Sequence, residues 1–341
     1  MKNSDLVLLG GYLHRVGVPS SSVLDPPPDS GQLVIDDHRL LVGRGDSFDE
    51  IDIDARKFDF TFTSPIYGPD GPTLAQVRAQ PSYDEQEWTK DDSVLRMGWH
   101  PGIQEFSVPY AGVYRLVATG GAFRFCPAAV VSASVNLSAG QRLRILVGQS
   151  PTEFTSNGMF RNAQASSGAT YVALVGSDGI SMTPLLVAAG ATSAFENHPE
   201  SVSVIIPGQA QGGGAGGNVG NADYGGGGGW STDGAPLPTG GRSFVNGGQG
   251  GRSVHNSSVF CGGFGGGAGG VSDTPKRQVA PGGPGWRGGD GFVYDSTGIP
   301  YKPGNVGSSF AAAFAENVTL GNTGVFDSYC HNGSLRMTRI G

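Results

Sequence analysis

Between residues 208 and 291 the chain carries 32 of its 59 glycines, in runs such as GGGAGGNVGNADYGGGGGW (Gly212–Trp230) and CGGFGGGAGG (Cys261–Gly270). Glycine loses more conformational freedom on ordering than any other residue, so a folded glycine tract needs a specific compensating device. The runs have no strict G-X-Y period, which excludes a collagen triple helix. They are punctuated by Tyr224, Trp230, Phe244, Val245, Val259, Phe260, Phe264, Trp286 and Phe292, whereas disordered segments are short of aromatic residues. An extended left-handed helix of three residues per turn has no internal hydrogen bonds. Its amides and carbonyls therefore need neighbours, and chains without side chains can lie close enough to supply them. The tract reads as an ordered slab of packed polyglycine helices. Gly225, Gly226, Gly227, Gly228 and Gly229 form its structural run, and the aromatics anchor its margins.

Outside this tract the pattern is that of a β-sheet protein. FDFTFT from Phe58 alternates apolar and polar residues, the period of a strand with one buried face. Similar segments recur at 103–108, 113–119, 130–137, 142–147, 170–175 and 185–189, separated by turn sequences such as Pro109-Tyr110-Ala111-Gly112 and Ser138-Ala139-Gly140-Gln141. Many short strands at such spacing predict an antiparallel sandwich or barrel. Two helices are expected: one opened by Pro72 over Thr73–Val77, and one over FAAAFAEN, capped by Ser308 or Ser309 with Phe310 and Phe314 on one face. The organisation that follows has an N-terminal segment at 1–57 and a first part of the sandwich at 58–175. A glycine-rich insertion occupies 176–290, and a return segment at 291–341 completes the sandwich.

With 38% hydrophobic residues over 341 positions the chain can build a substantial core. A net charge of -7 argues against nucleic acid and anionic membranes as partners. No apolar run approaches the roughly 18 residues of a membrane span. Sequons at Asn136, Asn256, Asn317 and Asn332 suggest a secreted, glycosylated surface. Cys126, Cys261 and Cys330 fit no zinc spacing and suggest one disulfide with a thiol left over. An extracellular chain without a leader reads as part of a longer protein.

Catalytic signatures are weak. Gly283–Gly288 fits G-x-G-x-x-G but follows no buried parallel strand. The sequence has no P-loop, no nucleophile elbow and no H-E-x-x-H. The six histidines are scattered, and the acidic runs at 46–54 and 83–92 read as solvated loops rather than calcium ligands. The Arg-Gly-Asp tripeptide at 44–46 is too short to signify adhesion. No catalytic residue, metal ligand or cofactor is expected within this chain.

Several ordered blocks carry a family resemblance. They are GPDGPTLAQ (Gly68–Gln76), FSVPYAGVY (Phe106–Tyr114), LSAGQRLRILVGQ (Leu137–Gln149), GATYV (Gly168–Val172), PLLVAAG (Pro184–Gly190), the run Gly225–Trp230 and GGFGGGAGG. Over roughly 58–301 the chain resembles the membrane-proximal ectodomain of the anaplastic lymphoma kinase and leukocyte tyrosine kinase receptors, as a divergent member. The resemblance implies a mainly β fold, a TNF-like jelly-roll sandwich interrupted by a glycine-rich domain of packed polyglycine helices. It also implies a function: the extracellular part of a single-pass plasma-membrane receptor tyrosine kinase, dimerised by a secreted protein ligand to start signalling. The alternative is a structural or adhesive glycine-rich surface protein with no kinase.

This sequence departs from the family in three places. Ser64 and Val77 stand where a cysteine pair flanks the GPxGPTxAQ segment, the closely spaced glutamates expected after Gly298-Ile-Pro-Tyr301 are missing, and no EGF-like module follows Cys330. The ligand is therefore expected to be either cytokine-like or a protein with an LDL-receptor class A module. Its contacts are expected at Tyr301, Glu316 and Asp327. Phe48–Ile53 resembles the last strand of an upstream MAM domain.

Overall fold

The computed structural model divides into two compact units, Met1–Lys57 and Phe58–Gly341. The structure describes residues 57–122, 126–151, 165–192, 212–213, 217–219, 222–252, 261–272, 277–295, 305–324 and 331–341, together with five strands of the first unit. That unit contributes a hairpin of β1 (Leu6–Leu9) and β2 (Tyr12–Arg15), and a three-stranded sheet of β3 (Leu33–Asp36), β4 (Arg39–Gly43) and β5 (Phe48–Asp52). The tripeptide at 44–46 lies outside the described residues.

The second unit opens with β6 (Asp59–Phe62) and two short helices, α1 (Leu74–Arg78) and α2 (Pro81–Asp84). Helix α1 starts where Pro72 predicts it. Thr73 caps it in a reciprocal box: its hydroxyl accepts from the Gln76 amide, and the Gln76 side chain accepts from the Thr73 amide. Then come β7 (Leu95–Arg96), β8 (Gln104–Ser107), β9 (Gly112–Thr119), β10 (Ala129–Leu137), β11 (Arg142–Leu146), β12 (Thr170–Val175) and β13 (Met182–Ala188). The glycine-rich tract holds the short β14 (Gly217–Val219), β15 (Ala222–Tyr224), β16 (Gly270–Ser272), β17 (Arg277–Ala280) and β18 (Phe292–Asp295). The chain returns through β19 (Phe310–Ala311), β20 (Glu316–Asn322) and β21 (Ser334–Arg339).

Two antiparallel sheets result, one in the order β20-β10-β9-β21-β6 and the other in the order β19-β13-β12-β11-β8-β7. Alternation along the strands packs them face to face, consistent with a jelly-roll-like sandwich. Phe60, Phe62, Leu116, Val131, Val135, Leu335 and Met337 from the first sheet meet Leu95, Phe106, Leu143, Ile145, Val172 and Leu186 from the second. The second sheet is covered on its other face as well. Leu146, Tyr171, Ala173 and Val187, the residues that alternate with the core set, pack against Trp230, Phe244, Phe264 and Trp286 of the glycine-rich tract. Double burial explains why β12 reads TYVALV, nearly continuously apolar.

The described glycine runs are ordered through their backbone. From Gly225 to Trp230 every residue is buried, and every amide donates to a different part of the chain. Gly225 and Gly228 donate to the carbonyls of Gly269 and Gly266, Gly226 and Gly229 to those of Ala235 and Thr232, and Gly227 and Trp230 to those of Gly289 and Trp286. Each step of three along the run thus returns to the same neighbour, three residues further back along it. On the acceptor side, the carbonyls of Gly225 and Gly228 receive the amides of Gly282 and Gly285, and those of Gly226 and Gly229 receive Gly241 and Phe244. None of these bonds is internal to the run. Tyr171 ties the sheet to this tract, its buried hydroxyl donating to the Gly285 carbonyl at 3.0 Å while its ring stacks on Phe244. Burial pushes the Tyr171 phenol far above its ordinary range, so the group remains a donor.

Three sequence expectations need correction. FAAAFAEN is not a helix: Phe310 stacks on Trp286 with ring centres 4.0 Å apart, β19 pairs with β13, and the Ser309 hydroxyl accepts from the Ala189 amide instead of capping. The sandwich continues past residue 175, because β13 belongs to the six-stranded sheet. Pairing with the glycine-rich tract continues past 290, because β18 pairs with β17. No disulfide is formed among the described residues. Cys126, where the chain enters β10, and Cys261, at the head of the second glycine run, are both buried and are not joined to each other, and Cys330 lies outside the described residues.

A methyl group on Gly227 would collide with the Gly283 carbonyl and sit 2.7 Å from the Pro284 nitrogen, whereas one on Gly321 meets nothing within 4 Å. Gly227→Ala is expected to destabilise the fold by about 2 kcal/mol or more, and Gly321→Ala to stay within roughly 0.5 kcal/mol of wild type, in denaturant melts.

Candidate binding surfaces

The loop that leads into α1 fastens the sandwich to the glycine tract. The Gly68 carbonyl accepts from the Phe264 amide at 2.7 Å, the Pro69 carbonyl accepts from Gly250 at 2.9 Å, and Asp70 pairs with Arg252. Gly71 and Gly102 meet under the Phe264 ring with no room for a side chain at either. Ser64 is buried 2.8 Å from the side-chain amide of Gln149, and Val77 is buried in the core. A hydrogen bond and an apolar contact thus occupy the two positions where the resembled family carries cysteines. From the other side, Gln149 donates its amide to the Phe264 carbonyl and Ala169 donates to the Gly265 carbonyl.

Of the three expected ligand contacts, the structure describes Glu316; Tyr301 and Asp327 lie outside the described residues. Glu316 is exposed at the start of β20, which pairs with β10 on one side and forms the edge of its sheet. Val318 and Leu320 on that strand are 41% and 38% exposed, and Phe314 just before it is 59% exposed. Leu320 pairs with the core residue Val131 and so points to the core side, but β20 overhangs the core and leaves it in solvent. In the return segment, Asn305 bounds a cleft of about 310 Å³ with Arg287, Asp290 and Ser308. Among the expected glycan sites, Asn136 and Asn317 are exposed. Asn332 spends its amide internally: its nitrogen donates to the carbonyls of Ser64 and Ile66, and its oxygen accepts from Ser150. A sugar on that nitrogen would displace one of those bonds. Asn256 lies outside the described residues.

A second polar constellation was not anticipated from the sequence. Arg144 on β11, Glu105 on β8 and Arg96 on β7 stand directly opposite one another across three strands. They share the face that turns toward the glycine tract, at the margin of its aromatic cluster. Glu105 is 4% exposed and accepts from the Nε of Arg144 at 3.0 Å and of Arg96 at 2.9 Å, with Arg142 at 4.0 Å. Arg144 also donates to the Gly179 carbonyl at 3.0 Å, and its guanidinium lies 4.4 Å from the centre of the Trp99 ring. The sequence signal is present in RLRIL, whose charges alternate with apolar residues in a strand with two buried faces. The adjacency of strands that makes it a cluster is not visible there.

Among the described residues no group of three or more His, Cys, Asp or Glu side chains is placed to hold a metal ion, and no helix is long and apolar enough to cross a membrane. Comparison with protein-family models and with curated proteins returns no match.

Burial works to raise the pKa of Glu105, but the hydrogen bonds from Arg144 and Arg96 outweigh it and hold the carboxyl below its ordinary value. The ion pair therefore stabilises the fold above the usual carboxylate range, and that contribution is lost as pH falls through the depressed value. Glu105→Gln strands the buried Arg144 charge and is expected to cost about 3 kcal/mol at neutral pH. The difference from wild type should shrink in strongly acidic buffer, as measured by denaturant melts across pH.

Proposed function

We propose that this chain is the extracellular ligand-recognition region of a receptor tyrosine kinase of the anaplastic lymphoma kinase and leukocyte tyrosine kinase type. In this reading the sandwich is TNF-like and the glycine-rich tract is a bundle of polyglycine helices with three residues per turn. One observation carries the reading. Five of the seven blocks that resemble the family build the joint between sandwich and glycine tract. Gly68–Gly71, Gln149, Gly168–Tyr171, Gly225–Trp230 and Gly262–Gly269 bond to one another through their main chains or, at Tyr171, through its hydroxyl to the Gly228 carbonyl. A likeness confined to loose glycine composition would not fall on the contacts that define the architecture. The recurrence of bonds every three residues supports the helical reading, since a strand would return to its neighbour every two.

On this proposal a secreted protein ligand, cytokine-like or bearing an LDL-receptor class A module, docks against the return segment and dimerises the receptor at the plasma membrane. Glu316 lies at the rim of that surface, with Tyr301 and Asp327 as its other contacts. The exposed sequons Asn136 and Asn317 suit an extracellular location. Catalysis belongs to a cytoplasmic kinase domain elsewhere in the parent protein. A rigid adhesive scaffold is the competing reading.

Sequencing the full transcript separates the two. The receptor reading expects an apolar span of about 20 residues followed by the glycine loop, H-R-D and D-F-G motifs of a protein kinase. A surface-anchoring tail with no kinase would overturn it. Once a ligand is in hand, Glu316→Lys is expected to change its association rate several-fold at low salt and much less at high salt, while leaving dissociation nearly unchanged, in surface plasmon measurements.

A further inference from the structure

We infer that the arginine row on the outer face of the six-stranded sheet is a recognition site for an acidic segment of a protein partner, engaged through Arg96 and Arg142. The inference concerns this surface and does not depend on a kinase elsewhere in the protein.

The row holds three guanidinium groups and one carboxylate, a local excess of two positive charges on a chain whose net charge is -7. Its hydrogen-bonding capacity is just as unbalanced. Three guanidiniums offer fifteen N–H donors by their chemistry, while the acceptors they use are the two oxygens of Glu105 and the Gly179 carbonyl. Arg144 is 5% exposed, and its Nη1 is buried with no hydrogen-bond partner. Arg142 is 36% exposed, and its guanidinium approaches Glu105 only to 4.0 Å and makes no hydrogen bond among the described residues. Arg96 is 45% exposed and commits its Nε to Glu105. The centre of the row is thus fixed by Glu105, Gly179 and Trp99; Arg96 is anchored beside it through its Nε, and Arg142 stands at the surface with its guanidinium donors unused. Unused guanidinium donors favour a ligand rich in acceptors, and the anchored Arg96 loses less entropy on binding one.

The surroundings select the kind of anion. Gly179 approaches Arg142, so that a Cβ there would lie 3.3 Å from its guanidinium nitrogen, and Asp178 is the residue before it, exposed in the same turn. Asp91 and Asp92 precede β7, with Asp92 paired to Arg78. These acids flank the two arginines and repel a long polyanion of high charge density. A short acidic protein segment fits this pattern. A sulfated glycan, which needs a continuous basic stripe, does not.

Hexaglutamate, a heparin hexasaccharide and inorganic phosphate can be titrated separately into the ¹⁵N-labelled protein while the arginine Nε–H resonances are followed. Hexaglutamate is expected to shift Arg96 and Arg142 in a salt-sensitive manner. The Arg96→Gln/Arg142→Gln variant should bind it about tenfold or more weakly, as loss of charge-assisted hydrogen bonds implies. Arg142→Gln by itself, which breaks no hydrogen bond of the row, should weaken binding several-fold and keeps the test valid if the double variant unfolds. Absence of shifts at these arginines, or unchanged affinity in Arg142→Gln, overturns the site. Binding of heparin in preference to hexaglutamate reassigns it to a glycan, and equal affinity for phosphate reduces it to nonspecific anion attraction. Both of these outcomes also overturn the proposal.

Discussion

The structure depends on main-chain hydrogen bonds between segments that have almost no side chains. In the run from Gly225 to Trp230 no amide finds its acceptor within the run, so the segment has no local reason to be ordered. Its conformation is fixed by the neighbours that receive those amides, at 232–235, 266–269 and 286–289, and by those that donate back. Such an arrangement is cooperative. Each segment orders the others, and a Cβ at almost any packed position would strike a neighbouring carbonyl, as at Gly225, Gly228, Gly234 and Gly241. The high glycine content follows from distance of approach rather than from flexibility.

Backbone bonds alone would leave this layer without much apolar burial, and the aromatics supply it. Trp230, Phe244, Phe264 and Trp286 face the six-stranded sheet and meet Tyr171, Leu146 and Val187. Stacked contacts such as Trp230 with Phe244 at 4.7 Å and Trp286 with Phe310 at 4.0 Å add about 0.5–1.5 kcal/mol each beyond burial. The six-stranded sheet is therefore a shared wall, with the sandwich core on one face and the glycine layer on the other. Where that layer ends the wall becomes polar, and the row of Arg144, Glu105 and Arg96 marks the transition. Trp99 bridges the two regimes, touching Phe244 on one side and Arg144 on the other.

Much of this was legible in the sequence. The strands were, because alternation is a local property: DFTF, GVYRLVAT and TYVALV stand where the pattern places them. Order in the described glycine runs was legible from their interleaved aromatics, and helix α1 from Pro72, whereas its Thr73 cap was not. The FAAAFAEN segment misled because its helix propensity is overridden by a distant partner, Trp286, that no local window contains. The arginine row escaped notice for the same reason. Its members lie on three strands whose adjacency is set by topology, and a lone charge within a strand reads as a solvated residue. Of the expected ligand residues, Glu316 is on an exposed edge, which is a placement and not yet a contact.

A layer ordered in this way has consequences for recognition. A loop that orders on binding spends part of its interaction energy on its own conformational entropy. Here the glycine tract and the sheet behind it are already bonded into one compact unit with the sandwich, so surfaces displayed along their margins are preorganised. The two surfaces differ in kind. The strand β20, at the sheet's edge among the described residues, offers apolar side chains, the sort of edge that folded proteins usually guard against strand addition. The arginine row offers fixed charges on a buried pivot. An apolar edge contributes mainly to how long a complex lasts, and a charged row mainly to how fast and in what orientation it forms.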